Sequence, residues 1–173
     1  MRHDLGAERA EAAARWYSDG KLYADVLHVG ETEYAPRRSM KLDITSLDSA
    51  VRRLREGLAR YEREPMDEQL RDGLIQRFEF TYELTHKMLR RYLKETAASP
   101  DEIERIPFAD LIRTGNAQGL LRSDWPAWRR FREMRARTSH TYDVGVAAQV
   151  ASAIPAFLEE AEHLYAELQR RLA

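Results

Sequence analysis

The stretch from Asp67 to Lys94 constrains the fold more than any other part of this chain. Projected at about 100° per residue, it carries Leu74, Ile75, Phe78, Phe80, Tyr82, Leu89 and Leu93 within an apolar arc covering more than half its circumference. Gln76, Glu79, Glu83, Lys87, Arg90 and Lys94 fill the remainder. A surface helix buries one stripe, so an arc this wide predicts a central helix with neighbours on several sides.

The flanking segments supply those neighbours. A helix is expected to open at Thr45 with Asp48 as a capping-box partner. It then runs along Leu47, Val51, Leu54, Leu58 and Tyr61 to a stop at Pro65. After a Ser99-Pro100 break comes a short helix over Phe108–Arg113 and a loop at Gly115 and Gly119. The next helix begins at Ser123-Asp124, tolerates Pro126 in its first turn, and spaces Trp125, Trp128, Phe131 and Met134 three apart. It stops near Thr138-Ser139-His140. The last runs from Val144 to Leu172 with an inner stripe of Phe157, Ala161, Leu164 and Leu168, and Pro155 is expected to kink or divide it.

Residues 1–39 lack this periodicity. They offer a short helical run from Glu8 to Trp16 and a strand or extended arm over Lys21–Val29. Either Met40 is the natural start, or these residues are an appendage that packs on a partner. The expected architecture is therefore all-α: a bundle of four to five helices over 40–173, with an irregular N-terminal extension at 1–39.

Composition removes several function classes. Cysteine is absent, which excludes disulfides, thiolate metal sites and a cysteine nucleophile. No apolar run reaches the roughly 18 residues of a membrane span, and the N-terminus lacks a signal-peptide core, so a cytoplasmic protein is expected. The net charge of −1 provides no global field for nucleic acid. Of 28 basic residues only Lys21, Lys41, Lys87 and Lys94 are lysines, and arginine offers a planar fork suited to phosphate.

Two constellations could carry chemistry. Di-metal bundles use paired Glu-x-x-His motifs facing inward, and Glu83…His86 and Glu160…His163 have that spacing. Glu83 falls among polar positions and His163 projects away from its helix's apolar stripe, so no metal site and no cofactor is expected. The second constellation is the arginine cluster from Arg129 to Tyr142. Arg129, Arg130 and Arg137 project to solvent. Arg135 lies seven residues after Trp128 and shares its inward face, where Glu79 or Glu83 could pair with it. His140 follows five residues later. The two would diverge by about 140° on a continuous helix, so they can share a site only if the helix ends between them. An imidazole can move a proton near neutral pH and a guanidinium can hold charge developing on phosphate. With 5 His and 24 Arg in 173 residues, chance alone gives about 0.7 such pairs.

Two blocks add specificity. Arg77-Phe78-Glu79-Phe80-Thr81-Tyr82-Glu83-Leu84 and Arg135-Ala136-Arg137-Thr138-Ser139-His140-Thr141-Tyr142-Asp143 resemble two signatures of one HEPN branch. That branch is known as nucleotidyltransferase substrate-binding proteins. The spacing between blocks and the tail Ile154-Pro155-Ala156-Phe157-Leu158 are similar too, and the resemblance runs from about Met40 to the C-terminus. It implies a homodimeric HEPN-like bundle with both motifs facing a shared cleft. It also implies a toxin acting as a metal-independent endoribonuclease on RNA through Arg135 and His140, with Glu79 and Glu83 in support. A cognate minimal nucleotidyltransferase antitoxin would silence it by attaching AMP to Tyr142. The alternative is a non-catalytic nucleotide- or substrate-binding subunit of the nucleotidyltransferase. Ala136 departs from the family pattern, where a polar residue, often asparagine, follows the motif arginine.

A chain beginning at Met40 is expected to keep its helical circular dichroism and its solubility. Loss of either would place residues 1–39 within the core.

Overall fold

The computed structural model describes residues 42–173; the expectations for residues 1–39 and for Met40 lie outside them. Six α-helices follow in order: α1 (Thr45–Tyr61), α2 (Glu68–Thr96), α3 (Pro100–Arg105), α4 (Phe108–Ala117), α5 (Trp125–Arg137) and α6 (Val144–Leu172). A single 3₁₀ turn, Thr138–His140, joins α5 to α6, and no strand occurs among the described residues.

The wide apolar arc is explained by position: α2 touches each of the other five helices. Phe78 and Leu89 are fully buried on it, and Tyr82 and Leu93 nearly so. Thr81 and Thr85 join them in the core by returning their hydroxyls to the carbonyls of Arg77 and Thr81, each at 2.7 Å. Phe80 departs from the expected arc and stays 36% exposed on the outer face. Asp67 caps the helix, its Oδ1 accepting from the amides of Gln69 (2.8 Å) and Leu70 (3.0 Å).

Four local expectations need correction. Thr45 is the first residue of α1 rather than its cap, and Asp43 accepts from the Thr45 amide at 2.9 Å, so no capping box forms with Asp48. A further short helix, α3, occupies Pro100–Arg105. Its proline at the first position and its acidic first turn were legible, but it buries no residue and so has no periodicity. Gly115 belongs to α4, not to a loop. A Cβ there would lie 2.9 Å from Leu89 Cδ1 and 3.2 Å from Leu121 Cδ1, so glycine serves close packing. The turn glycine is Gly119, at φ +71°. Finally, Pro155 does not divide α6, which runs unbroken through it. The ring faces solvent while Ile154, Phe157 and Leu158 are buried around it, so water can serve the carbonyl that loses its amide partner.

Two glycines in helices therefore predict opposite signs. Gly73→Ala meets open space and should stabilise by about 0.5–1 kcal/mol through helix propensity. Gly115→Ala gains the same propensity but forces Leu89 and Leu121 apart, an overpacking cost of about 1–3 kcal/mol, and should destabilise. Urea unfolding of the two variants checks both.

Candidate functional site

The orientation of α5 is set at its start and along its core face. Asp124 Oδ1 accepts from the Trp125 amide at 2.7 Å, and Pro126 fits the first turn. Trp128, Phe131 and Met134 are buried, which turns Arg135 toward α2. There Glu79 and Glu83, one turn apart, present both carboxylates to it. Arg135 Nη1 lies 3.0 Å from Glu79 Oε1. Its Nε lies 3.5 Å from Glu83 Oε1, an ionic contact without hydrogen-bond geometry. Nη1 also donates to Thr138 Oγ1 at 3.1 Å. The Thr138 hydroxyl in turn has Glu79 Oε1 and the Arg135 carbonyl (2.9 Å) as acceptors for its one proton.

The group of Arg135, Glu79 and Glu83 is only partly covered, its side chains 33%, 35% and 38% exposed. Its formal charge is −1, so Arg135 is engaged from within its own chain. Thr138, buried at 7%, is the member that sequence reasoning missed. Its place three residues after an inward arginine was the available signal.

His140 and Tyr142 stand outside this group. The corner is knitted by Thr141 Oγ1 donating to the Thr138 carbonyl (3.1 Å) and by the Asp143 amide donating to the His140 carbonyl (3.2 Å). Asp143 then caps α6, its Oδ1 accepting from the Val146 amide at 3.0 Å. His140 is exposed, and its ring lies 6.1 Å from that of Tyr142, which is 86% exposed. Arg135 finds its polar partners in Glu79, Glu83 and Thr138; His140 is not one of them.

The α-helix does end between the two motif residues, as the sequence suggested.

The outer arginines are exposed. Arg129 pairs with Glu133 at 3.6 Å, Arg132 lies 5.4 Å over the Phe108 ring, and Arg137 donates to the Gln149 side chain. Exposed Ala136 offers its carbonyl to the Ser139 hydroxyl at 3.3 Å.

The two Glu-x-x-His pairs are otherwise engaged. His86 is half-buried with Nδ1 3.1 Å from the Tyr82 carbonyl. His163, expected in solvent, is half-buried with Nε2 3.2 Å from the Gly119 carbonyl. Glu160 is 2% exposed and accepts from the Arg122 amide at 3.3 Å. The α6 pair thus clamps the α4–α5 loop. Among the described residues, no group of three or more His, Cys, Asp or Glu side chains is placed to hold a metal ion, and no helix is long and apolar enough to cross a membrane.

Known proteins share this fold. Residues 42–170 match the family model described as nucleotidyltransferase substrate binding protein like. A protein of Haemophilus influenzae named probable ribonuclease HepT is 35% identical over 139 residues, covering 76% of this chain and 94% of its own. A solved structure from Haemophilus influenzae, described as revealing the fold of a substrate binding domain of a nucleotidyltransferase, superposes with a TM-score of 0.69. It is 34% identical and covers 73% of this chain and 99% of its own. With nearly all of the helical bundle matched and the motif of Arg135 to Asp143 inside it, this chain belongs to the nucleotidyltransferase substrate binding protein like family.

Proposed function

We propose that this chain is a HEPN-type toxin: a metal-independent endoribonuclease that works as a cytoplasmic homodimer and is neutralised by a cognate minimal nucleotidyltransferase. The observation that carries the reading is the inward arginine. Arg135 is oriented by two carboxylates and a threonine at the edge of the core, which holds a guanidinium ready for a phosphodiester without burying it. The ribonuclease name of the Haemophilus influenzae relative points the same way.

In this reading His140 takes the proton of the 2′-hydroxyl as its oxygen bonds to phosphorus, the P–O5′ bond breaks and the proton passes to the leaving 5′-oxygen, and Arg135 stabilises the charge on the phosphorane. Within one chain His140 is not among the polar partners of Arg135, and a cleft between two copies, with a motif from each, would bring an arginine and a histidine to one phosphate. Tyr142 projects its hydroxyl into solvent beside His140, where an enzyme can reach it. AMP attached there would add a phosphate that competes with RNA for the site's arginines.

A second reading is a non-catalytic subunit that presents a nucleotide or other substrate to the nucleotidyltransferase. The description of the solved relative as a substrate binding domain favours it.

His140→Ala and Arg135→Ala are each expected to lower RNA cleavage by roughly 10²–10⁴-fold while light scattering still finds a dimer. EDTA should leave cleavage unchanged; activity that appears only with a divalent ion would sink the mechanism. Binding of RNA or nucleotide without any turnover would select the second reading.

Co-expression with the cognate nucleotidyltransferase and ATP should add one or more AMP masses to a peptide containing Tyr142. Tyr142→Phe should block that gain and escape neutralisation. Suppression without any mass change would leave occlusion by the partner as the means of control.

A further inference from the structure

Glu83 faces Arg135 and His86. Its Oε1 is 3.5 Å from Arg135 Nε, and its Oε2 is 3.8 Å from His86 Nε2. His86 sits on α2 one turn below, 21% exposed at its side chain, with its ring edge-on to Phe108 of α4 at 5.7 Å. The Tyr82 carbonyl can only accept, so the neutral ring keeps its hydrogen on Nδ1. The nitrogen that gains a proton is then Nε2, the one aimed at Glu83.

We propose that His86 is a positioning residue for Arg135, acting through Glu83: charged His86 draws this carboxylate to itself and leaves Arg135 on Glu79, with part of its fork free for phosphate. The proposal rests on the reading of Arg135 as a phosphate-binding group.

The surroundings set the direction. Burial pushes the His86 pKa below its ordinary value; the bond to the Tyr82 carbonyl and the charge of Glu83 oppose this, while Lys87 and Arg90 reinforce it. Among the described residues, Glu83 is the carboxylate that acts on it. From the helices packed against it, α4 contributes the uncharged Phe108 ring, over which Arg132 of α5 is stacked, and α3 contributes the Ile103 and Glu104 carbonyls that hold Arg90. His86 is therefore neutral at neutral pH, with Arg135 held by both carboxylates, and the release operates at pH below the ordinary histidine pKa. A group whose folded pKa lies below its unfolded one also loses stability as pH falls through that window, so circular dichroism at each pH keeps unfolding apart from release.

Two measurements on the full chain test this. The first is the His86 ring-proton titration by NMR. Glu83→Gln should lower the His86 pKa. Arg135→Met should raise it, and that rise should vanish in the Glu83→Gln background, because the coupling runs through the shared carboxylate. An equal rise in both backgrounds, or none in either, overturns the proposal. Arg135→Lys provides a charge-conserving comparison if Arg135→Met fails to fold.

The second is binding of a mixed-sequence 2′-O-methyl RNA oligonucleotide, which lacks the attacking hydroxyl. Affinity should rise about fivefold more between pH 7.5 and 5.5 in the unsubstituted protein than in His86→Phe. The same rise in both overturns the proposal. An oligonucleotide that binds at no pH counts against the ribonuclease reading instead, and the NMR coupling would survive that result.

Discussion

The edge-on contact between Phe78 and Phe157, with ring centroids 5.0 Å apart and planes at 85°, is the joint on which the rest of the bundle depends. It ties α2 to α6. From α5, Trp128 and Phe131 close on the same Phe157 ring at 6.2 and 5.5 Å, again near perpendicular. Edge-to-face rings prefer a narrow range of orientations, so this cluster fixes how three helices are rotated about their axes. Each ring contributes roughly 2–3 kcal/mol by leaving water. The rotation then delivers the site. With Trp128 inward, Arg135 is inward as well. With Phe78 and Tyr82 inward, Glu79 and Glu83 fall on the edge of α2 that meets α5.

That edge is neither core nor surface. A pair fully in water is worth little, and a pair fully buried pays heavily for desolvation. A guanidinium and two carboxylates at about one-third exposure are held in place and still exchangeable. Any phosphate must compete with Glu79 and Glu83 for Arg135. The balance among those groups governs the site more than the number of arginines, because a chain with net charge −1 has no broad field to draw RNA in. Arg129 and Arg132 are themselves already engaged, one with Glu133 and the other on the Phe108 ring.

Much of the fold was legible. The breadth of the apolar arc on α2 implied several neighbours, and α2 touches all five other helices. The limits of α5 and α6 follow from Asp124, Pro126 and Asp143, whose side chains and ring act within a few residues of themselves. Errors occurred where two local rules competed. Asp43 and Thr45 could each serve the first turn of α1, and the nearer carboxylate took the amide. Gly115 could end a helix or admit a neighbour, and Leu89, 26 positions earlier in the chain, decided for the neighbour. Phe80 counted toward the apolar arc, yet among the described residues no helix buries it.

The sequence by itself determined which residues form helices, where most of those helices stop, and that Arg135 turns inward, because these depend on spacing along four or seven residues. Tertiary structure decided what Arg135 meets. Glu79 and Thr138 are 59 positions apart, and only the rotation of α2 against α5 puts both beside the guanidinium. It also decided that His140 stays outside the group: the phase across a helix end depends on whether the last turn is α or 3₁₀. That choice rests on how Thr138 is held by α2 and on the cap of α6, neither of which a motif's spacing records.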